Sequence, residues 1–523
     1  MAHLSVPCRG VVAAGHPLTA EAGAEILRQG GNAFDAAIAA VMTAWVTESV
    51  LTSAGGGGFL MAHTAAGKSC LFDFFSQTPR CSKLTQAPNF YPIHANFGDG
   101  DTMQEFHIGL GSMAVPGAVA GLLHIHQKLG QLPLAAISEP AIHHAQKGVI
   151  VNPFLAYVFE ILEPILRASE AARGLYTSAD KLLAAGEVLK MPALADALKQ
   201  IVKEGASVFY EGAIAQKIAQ DCQAQGGYLT SDDLQHYRVI ERQPLTLQYQ
   251  NATFLTNPPP SSGGALIAFA LKLLEKANVS RFEHGSAEHL AYLTRIMALT
   301  NEARRDGYDQ RLYEEDVADR FLADSHIAPY QSILQGVVNK LGSTTQVSVI
   351  DAKGNAASVT TSNGEGSSYV IPGTAIMMNN MLGEEDLHPQ GFHTWVPDQR
   401  ISSMMAPTII LKGDKPQLVL GSGGSNRIRT AILQVISNWL DFGMPITEAV
   451  TAPRIHWERG TLHMEPGYGL EIAQQIQADD TKERVPWQQQ NMFFGGVHAV
   501  ALSEEGHLHG AGDARRGGAV AIA

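Results

Sequence analysis

The chain has 523 residues, 45% hydrophobic and 17% charged, which suits a large buried core spread over two to four domains or one fused one. Its 37 Lys and Arg against 50 Asp and Glu leave a formal net charge of −13, which argues against nucleic acid and anionic membrane as main partners. The four cysteines, Cys8, Cys70, Cys81 and Cys222, match no zinc or redox spacing and are too few for a disulfide scaffold.

Residues 1–10 lack a basic segment followed by an apolar one, and the longest apolar helical stretch, 36–46, is too short to span a bilayer. The expectation is a soluble, cytoplasmic protein. Residues 17–50 read as two helices around Gly30-Gly31-Asn32, a C-cap glycine followed by an N-cap asparagine. The second is alanine-rich and suited to close packing. Gly55-Gly56-Gly57-Gly58 then reads as a tight turn feeding a buried strand. Helical periodicity marks 117–129, 134–147, 263–276 and 287–305, with a rigid loop at Asn257–Gly264 before the third. Segment 306–340 is polar and reads as an exposed, irregular, cleavable connector. Beyond it the texture turns to strands at 345–350, 356–361, 375–379, 407–411, 417–421 and 497–502, with a helix over 426–440. Strand-rich hairpins flanked by helices on both sides imply stacked sheets between helical layers.

Gly342-Ser343-Thr344-Thr345 stands where the connector meets the first of these strands. Cleavage between Ser343 and Thr344 would leave the α-amine of Thr344 within reach of its own hydroxyl. An α-amine with an ordinary pKa of about 7.7–8.0 is a competent base near neutral pH, and a threonine activated in this way is a nucleophile. Other chemistries lack their motifs: there is no G-x-S-x-G, no H-E-x-x-H and no full G-x-x-x-x-G-K-[ST] loop. Gly109–Ala114 matches G-x-G-x-x-A but runs into Val115-Pro116 rather than straight into a helix. His124/His126 and His143/His144 have spacings that do not share a helix face, so no metal site and no cofactor is expected.

Three features past Thr344 fit the nucleophile reading. Ser362 ends the hairpin partner of the Thr344 strand and should lie beside it. Ser402-Ser403 is an adjacent pair of small hydroxyls. Gly421-Ser422-Gly423-Gly424-Ser425-Asn426 ends a strand and begins a helix, so its backbone N–H groups are suited to an oxyanion.

With these residues in place the chain resembles the γ-glutamyltransferase (γ-glutamyl transpeptidase) family of N-terminal nucleophile hydrolases, over nearly its whole length. The shared marks are Gly30-Gly31-Asn32-Ala33-Phe34-Asp35-Ala36-Ala37, Gly55–Phe59, Pro116–Gly121, Pro258–Gly264, Thr344-Thr345, Asn379-Asn380, Ser402-Ser403-Met404, Gly421–Arg427 and Asp513-Ala514-Arg515. The resemblance implies an α+β fold, a four-layer αββα sandwich. It further implies a precursor that cuts itself into a large subunit, 1–343, and a small subunit, 344–523, within one integrated fold. These would form an αβ unit, with a dimer of such units as the next assembly. Carried over, Thr344 is nucleophile and α-amine base, Ser362 is the hydroxyl relay, and Gly424 and Ser425 supply the oxyanion N–H groups. Ser402 and Ser403 match the serines that contact the donor's carboxylate, and Glu384 falls near the aspartate that binds its α-amine.

The departures concern the acyl pocket. Where the family has Asp-Phe-Arg, with the arginine clamping the α-carboxylate of the glutamyl group, this chain has Asp73-Phe74-Phe75. An apolar ring in place of a bidentate guanidinium is not a conservative change. Arg80 and Arg400 are the candidate replacements, and the family's pocket asparagine falls at about Gly364. The resemblance implies a self-processing amidohydrolase or acyltransferase acting on small-molecule γ-glutamyl amides such as glutathione. Phe75 sets against it an amidase for another short or dicarboxylic acyl group, oxamate- or glutaryl-like. A non-enzyme reading, a matured binding protein, would be excluded by turnover of any amide that is lost in Thr344→Ala.

Overall fold

In the computed structural model, residues 8–81, 83–84, 86–96, 103–277, 279–332, 344–388, 391–476, 481–503 and 505–523 are described. Two sheets organise the chain. Their strands, in chain order, are β1 (Gly10–Ala14), β2 (Gly57–His63), β3 (Ser69–Phe74), β4 (Ile240–Arg242), β5 (Leu245–Tyr249), β6 (Ala252–Thr256), β7 (Thr345–Asp351), β8 (Ala356–Ser362), β9 (Thr408–Lys412), β10 (Lys415–Gly423), β11 (Gly496–Leu502), β12 (Leu508–Ala511) and β13 (Ala519–Ile522). The first sheet has the order β4-β3-β2-β8-β7-β1-β13 and the second β5-β6-β9-β10-β11-β12. The first sheet therefore mixes strands from both sides of residue 344.

The central strands of the first sheet, β2, β8, β7 and β1, are buried on both faces, as their alternation shows. Val12, Ala14, Leu60, Ala62, Val347 and Val359 enter one core, whereas Val11, Ala13, Phe59, Met61, Ile350 and Ala356 enter the other. The former is shared with helices α1 (Pro17–Arg28) and α2 (Ala33–Thr47), which pack on each other, α1 lying on β1 and β13 and α2 on β7 and β8. Every residue of α2 is buried, and its alanines permit that approach. Asn32 and Asp35 form a full capping box at its start. The latter core lies against the second sheet, whose strands are covered in turn by α3 (Ser262–Ala277) and α4 (Arg427–Leu440).

Between the sheets the chain buries polar groups and satisfies them locally. Gln346 Nε2 donates to Ser358 Oγ at 2.9 Å and to Ser348 Oγ at 3.0 Å, and Thr360 Oγ1 donates to Gln346 Oε1 at 2.6 Å. Ser348 and Ser358 donate onward to the carbonyls of His498 and Leu420, at 2.9 and 2.8 Å, which ties the two sheets in register.

Two sequence expectations change. The irregular connector begins with structure, since helical turns cover Arg304–Tyr308 and Asp309–Arg311 and helices cover Val317–Phe321 and Asp324–Ser332; residues 333–343, with Gly342 and the cleavage-site residue Ser343, lie outside the described residues. The strand expected at 375–379 shortens to Ile376–Met377, paired with Val370–Ile371. Past it, Asn379 side-chain groups bind the backbone of Ala114 and Gly55, which takes the chain out of strand pairing. Among the described residues no helix is long and apolar enough to cross a membrane, and all four cysteines are free thiols.

Candidate active site

Strands β7 and β8 pair antiparallel with Thr345 opposite Thr361, and one step further brings Thr344 level with Ser362. Side chains alternate along β7, so Thr344 shares with Gln346 the face between the sheets and Thr345 takes the opposite face. Thr344 and Ser362 line one small cavity of about 30 Å³, together with Phe75, Glu384, Asp386, Ser403 and Ser425. Met381, Leu387, Met404, Met405 and Ile428 complete the wall. The expected nucleophile, relay hydroxyl, oxyanion loop and one serine of the pair therefore converge.

The second sheet delivers the loop. After β10 the backbone of Gly423 passes so near Thr344 that a Cβ there would sit 2.0 Å from the Thr344 carbonyl oxygen. Gly424 follows with φ +123°, and Ser425 takes a left-handed φ of 48° before α4 begins. This turn precedes the N-terminus of α4, and Ser425 on it lines the pocket. Ser425 has a side-chain role that its backbone assignment did not anticipate: its Oγ donates to Asp386 Oδ2 at 2.8 Å.

Two groups outside the sequence reading hold the Thr344 segment. Arg516 Nη1 donates to the Thr344 carbonyl at 3.2 Å. Arg516 is aimed by the turn Ala514–Arg516, which Asp513 caps while pairing with Arg454 at 2.7 Å and Arg515 at 3.1 Å. On the other face Glu48, at the C-terminal end of α2, accepts the Thr345 hydroxyl on Oε2 and the Thr19 hydroxyl on Oε1, the latter at 3.0 Å. Burial raises the Glu48 carboxyl to about 7, against the pull of these hydroxyls and of Arg516. Neither residue carries a sequence signal of its role, because each reaches Thr344 or Thr345 from far along the chain.

The wall formed by Phe75, Glu384 and Asp386 is apolar and acidic. Phe75 is 1% exposed and stacks on Phe59 with ring centroids 5.4 Å apart. Burial raises Glu384 well above the carboxylate range, and Glu365 and Asp386 raise it further. Burial likewise raises Asp386, to about 6, against the Ser425 hydrogen bond. Gly364 is where a side chain would collide, since a Cβ there would lie 2.1 Å from Asn380 Oδ1 and 2.2 Å from Glu384 Oε1.

Neither candidate arginine lines this pocket. Arg80 is partly exposed and pairs with Asp398 at 3.0 Å and Asp232 at 3.4 Å. Arg400 is buried behind Phe75, where it donates to the Phe75 carbonyl, to Tyr237 Oη and, at 2.7 Å, to the Arg238 carbonyl, with Asp73 at 3.4 Å. The serine pair is divided: Ser403 lines the Thr344 pocket and its Oγ accepts the Met405 N–H at 3.0 Å, whereas Ser402 lines a neighbouring cavity.

A family model described as Gamma-glutamyltranspeptidase matches residues 19–523. The glutathione hydrolase proenzyme of Escherichia coli (strain K12) is 30% identical over 554 residues, covering 97% of this chain and 90% of that protein. The Acylase ACY 1 proenzyme of Pseudomonas sp. (strain SE83) is 33% identical over 518 residues, covering 96% and 91%. The crystal structure of cephalosporin acylase from Bacillus halodurans matches with a TM-score of 0.84 at 26% identity, over 100% of this chain and 99% of that one.

Proposed function

The chain belongs to the gamma-glutamyltranspeptidase family, hydrolases and acyltransferases of amide bonds, and on that premise we propose that it cuts itself before Thr344 and then cleaves amides whose acyl group carries no carboxylate. The observation that carries this reading is the meeting of Thr344, Ser362, Ser403 and Ser425 in one pocket with Glu384, Asp386 and the ring of Phe75.

In maturation the Thr344 hydroxyl attacks the Ser343 carbonyl carbon, the peptide nitrogen leaves as the α-amine, and water hydrolyses the resulting ester. The pieces are 1–343 and 344–523, and the two sheets with helices outside each are read as the αββα sandwich of N-terminal nucleophile hydrolases. In turnover the same hydroxyl attacks the substrate carbonyl and passes its proton to the α-amine. The N–H groups of Gly424 and Ser425 hold the oxyanion, and Ser362 fixes the hydroxyl's direction. The proton goes on to the leaving amine, and water or an acceptor amine takes the acyl group from Thr344.

The acyl preference follows from charge. A γ-glutamyl α-carboxylate in this pocket would meet the Asp386 carboxylate and no lining cation, a cost of several kcal/mol. A glutaryl or oxamate group carries the same burden, whereas a short uncharged acyl group does not. A cytoplasmic location belongs to the same proposal and is supported by exposed free thiols at Cys8 and Cys81, which suit a reducing compartment. The test is kcat/KM of the matured protein on γ-glutamyl-, glutaryl- and butyryl-p-nitroanilide, with Thr344→Ala as the blank. The butyryl compound should lead; preference for the glutamyl compound would sink the charge argument.

A further inference from the structure

Beside the Thr344 pocket lies a second cavity of about 140 Å³. Leu387 lines both, and the Ser402–Ser403 peptide stands between them, with Ser403 on the first and Ser402 on the second. Leu312, Tyr313, Trp395, Val396 and Ile401 form the apolar wall of the second cavity, and uncharged polar groups such as Gln310 and Gln399 complete its lining. Its charged side chain, Asp309, is already paired with Arg304 at 2.9 Å, and burial lowers His388 to about 4, which leaves that ring neutral.

Three observations point to an occupant. Trp395 is 9% exposed, its ring is held edge-on by Tyr228 at 4.9 Å, and its indole N–H has no hydrogen-bond partner among the described residues. The indole nitrogen is itself closed to solvent, so what Trp395 gives the cavity is a fixed aromatic wall. Tyr313 and Val396 are 49% and 57% exposed, and such apolar surface gathered at the mouth of a cavity marks a ligand site. The size also decides between ligands: an apolar cavity of about 150 Å³ accepts benzene, so this one suits a single aryl ring.

We propose that this cavity is a second substrate compartment, which takes an uncharged aryl group tethered to the scissile amide and packs it against the Trp395 ring. The inference deepens, and rests on, the reading of Thr344 as nucleophile. The neck at Leu387 and Ser402–Ser403 would then separate a small reacting end from a flat apolar end of one substrate.

The test varies each side of the amide separately on the matured protein. Butyryl- and phenylbutyryl-p-nitroanilide differ only in the acyl part; N-methyl and N-benzyl butyramide differ only in the amine part. In one of the two pairs the aryl member should exceed its alkyl partner about tenfold or more in kcat/KM, and Val396→Asp should erase the excess. Equal rates within both pairs, from a protein that turns over the butyryl compounds, overturn the compartment and leave the nucleophile reading standing. Should no amide be turned over, the nucleophile reading fails and binding decides the compartment alone. Calorimetric titration of Thr344→Ala with the same aryl and alkyl amides then supports it if an aryl amide binds about tenfold tighter, and overturns it if they bind equally. Trp395→Ala removes the aromatic wall, so it should erase the aryl excess while butyryl turnover persists; an unchanged excess overturns the indole's part.

Discussion

The hydroxyl of Ser425 holds the carboxylate of Asp386 at 2.8 Å, linking the Gly424–Ser425 turn, the proposed oxyanion hole, to the acidic wall of the pocket. That bond lowers the Asp386 carboxyl while burial raises it. Ser425→Gly deletes the bond and relaxes the left-handed backbone; Ser425→Ala deletes the bond and keeps the strain. Both retain the N–H, so the loss in kcat should stay below the roughly 10²–10³-fold of a missing oxyanion donor. In both, Asp386 should titrate higher, and the acid limb of the kcat/KM profile should move to higher pH. An unmoved limb would show that the Asp386 charge has no part in turnover.

Maturation gives a direct prediction. Denaturing electrophoresis should resolve 1–343 and 344–523, with the smaller piece beginning Thr-Thr-Gln-Val, and Thr344→Ala should run as one chain. Ser362→Ala should slow the cut, the turnover or both, because it removes the hydroxyl level with Thr344 on β8. Uncut yet active wild type would refute the scheme.

Phe75→Arg tests the acyl pocket. The new guanidinium would replace a ring that is 1% exposed and stacked on Phe59. Glu384 and Asp386 line the same cavity and offer it partners. The variant should lose stability, on the order of a few kcal/mol for a buried aromatic changed to a charge. It should also raise kcat/KM for γ-glutamyl- over butyryl-p-nitroanilide. A fall in Tm with no change in that ratio would mean that the missing cation does not set specificity.

Glu48 predicts a pH dependence. Its carboxyl is raised from 4.5 to about 7 by burial, so the folded state favours the protonated form. Its contribution to stability is complete below about 4.5 and is lost as pH rises through about 7. Glu384 and Asp386 are raised too and add in the same direction. Glu48→Gln should flatten the decline of Tm across that window, measured by thermal unfolding of Thr344→Ala so that cutting does not intervene. A decline as steep as in the Thr344→Ala parent would assign the whole effect to the other acids.

What was legible in the sequence was local or carried by a hairpin. The β7–β8 pairing follows from alternation and a short turn, so the approach of Thr344 and Ser362 could be read directly. The Asn32 cap and the glycine turn before α4 were legible for the same reason. What was not legible depends on contacts far apart in sequence. Arg516 reaches Thr344, and Glu48 reaches Thr345, through the order of strands in the sheet rather than through any spacing. Arg400 looked free to replace the missing clamp, yet Asp73 and two backbone carbonyls engage it behind Phe75. Ser402 and Ser403 read as one unit, but neighbours in an extended segment face opposite ways, and the chain there divides two cavities.

The order of the first sheet has a consequence for how such a protein can die. Seven residue pairs join β2 to β8 and five join β7 to β1, so strands from 344–523 are laid between strands from 1–343. Two pieces made by a cut at 344 would be separate molecules by covalent count alone. Pulling them apart would mean tearing the middle of a sheet, where it is buried on both faces, so dilution would not part them on a practical timescale. Once parted by heat or denaturant, they would have to find each other again, and recovery would fall with concentration in a way the uncut chain never experiences. Such a protein would enter service by exchanging a unimolecular route back to the folded state for a bimolecular one, and at high dilution its lifetime would be set by the rate of a single unfolding event.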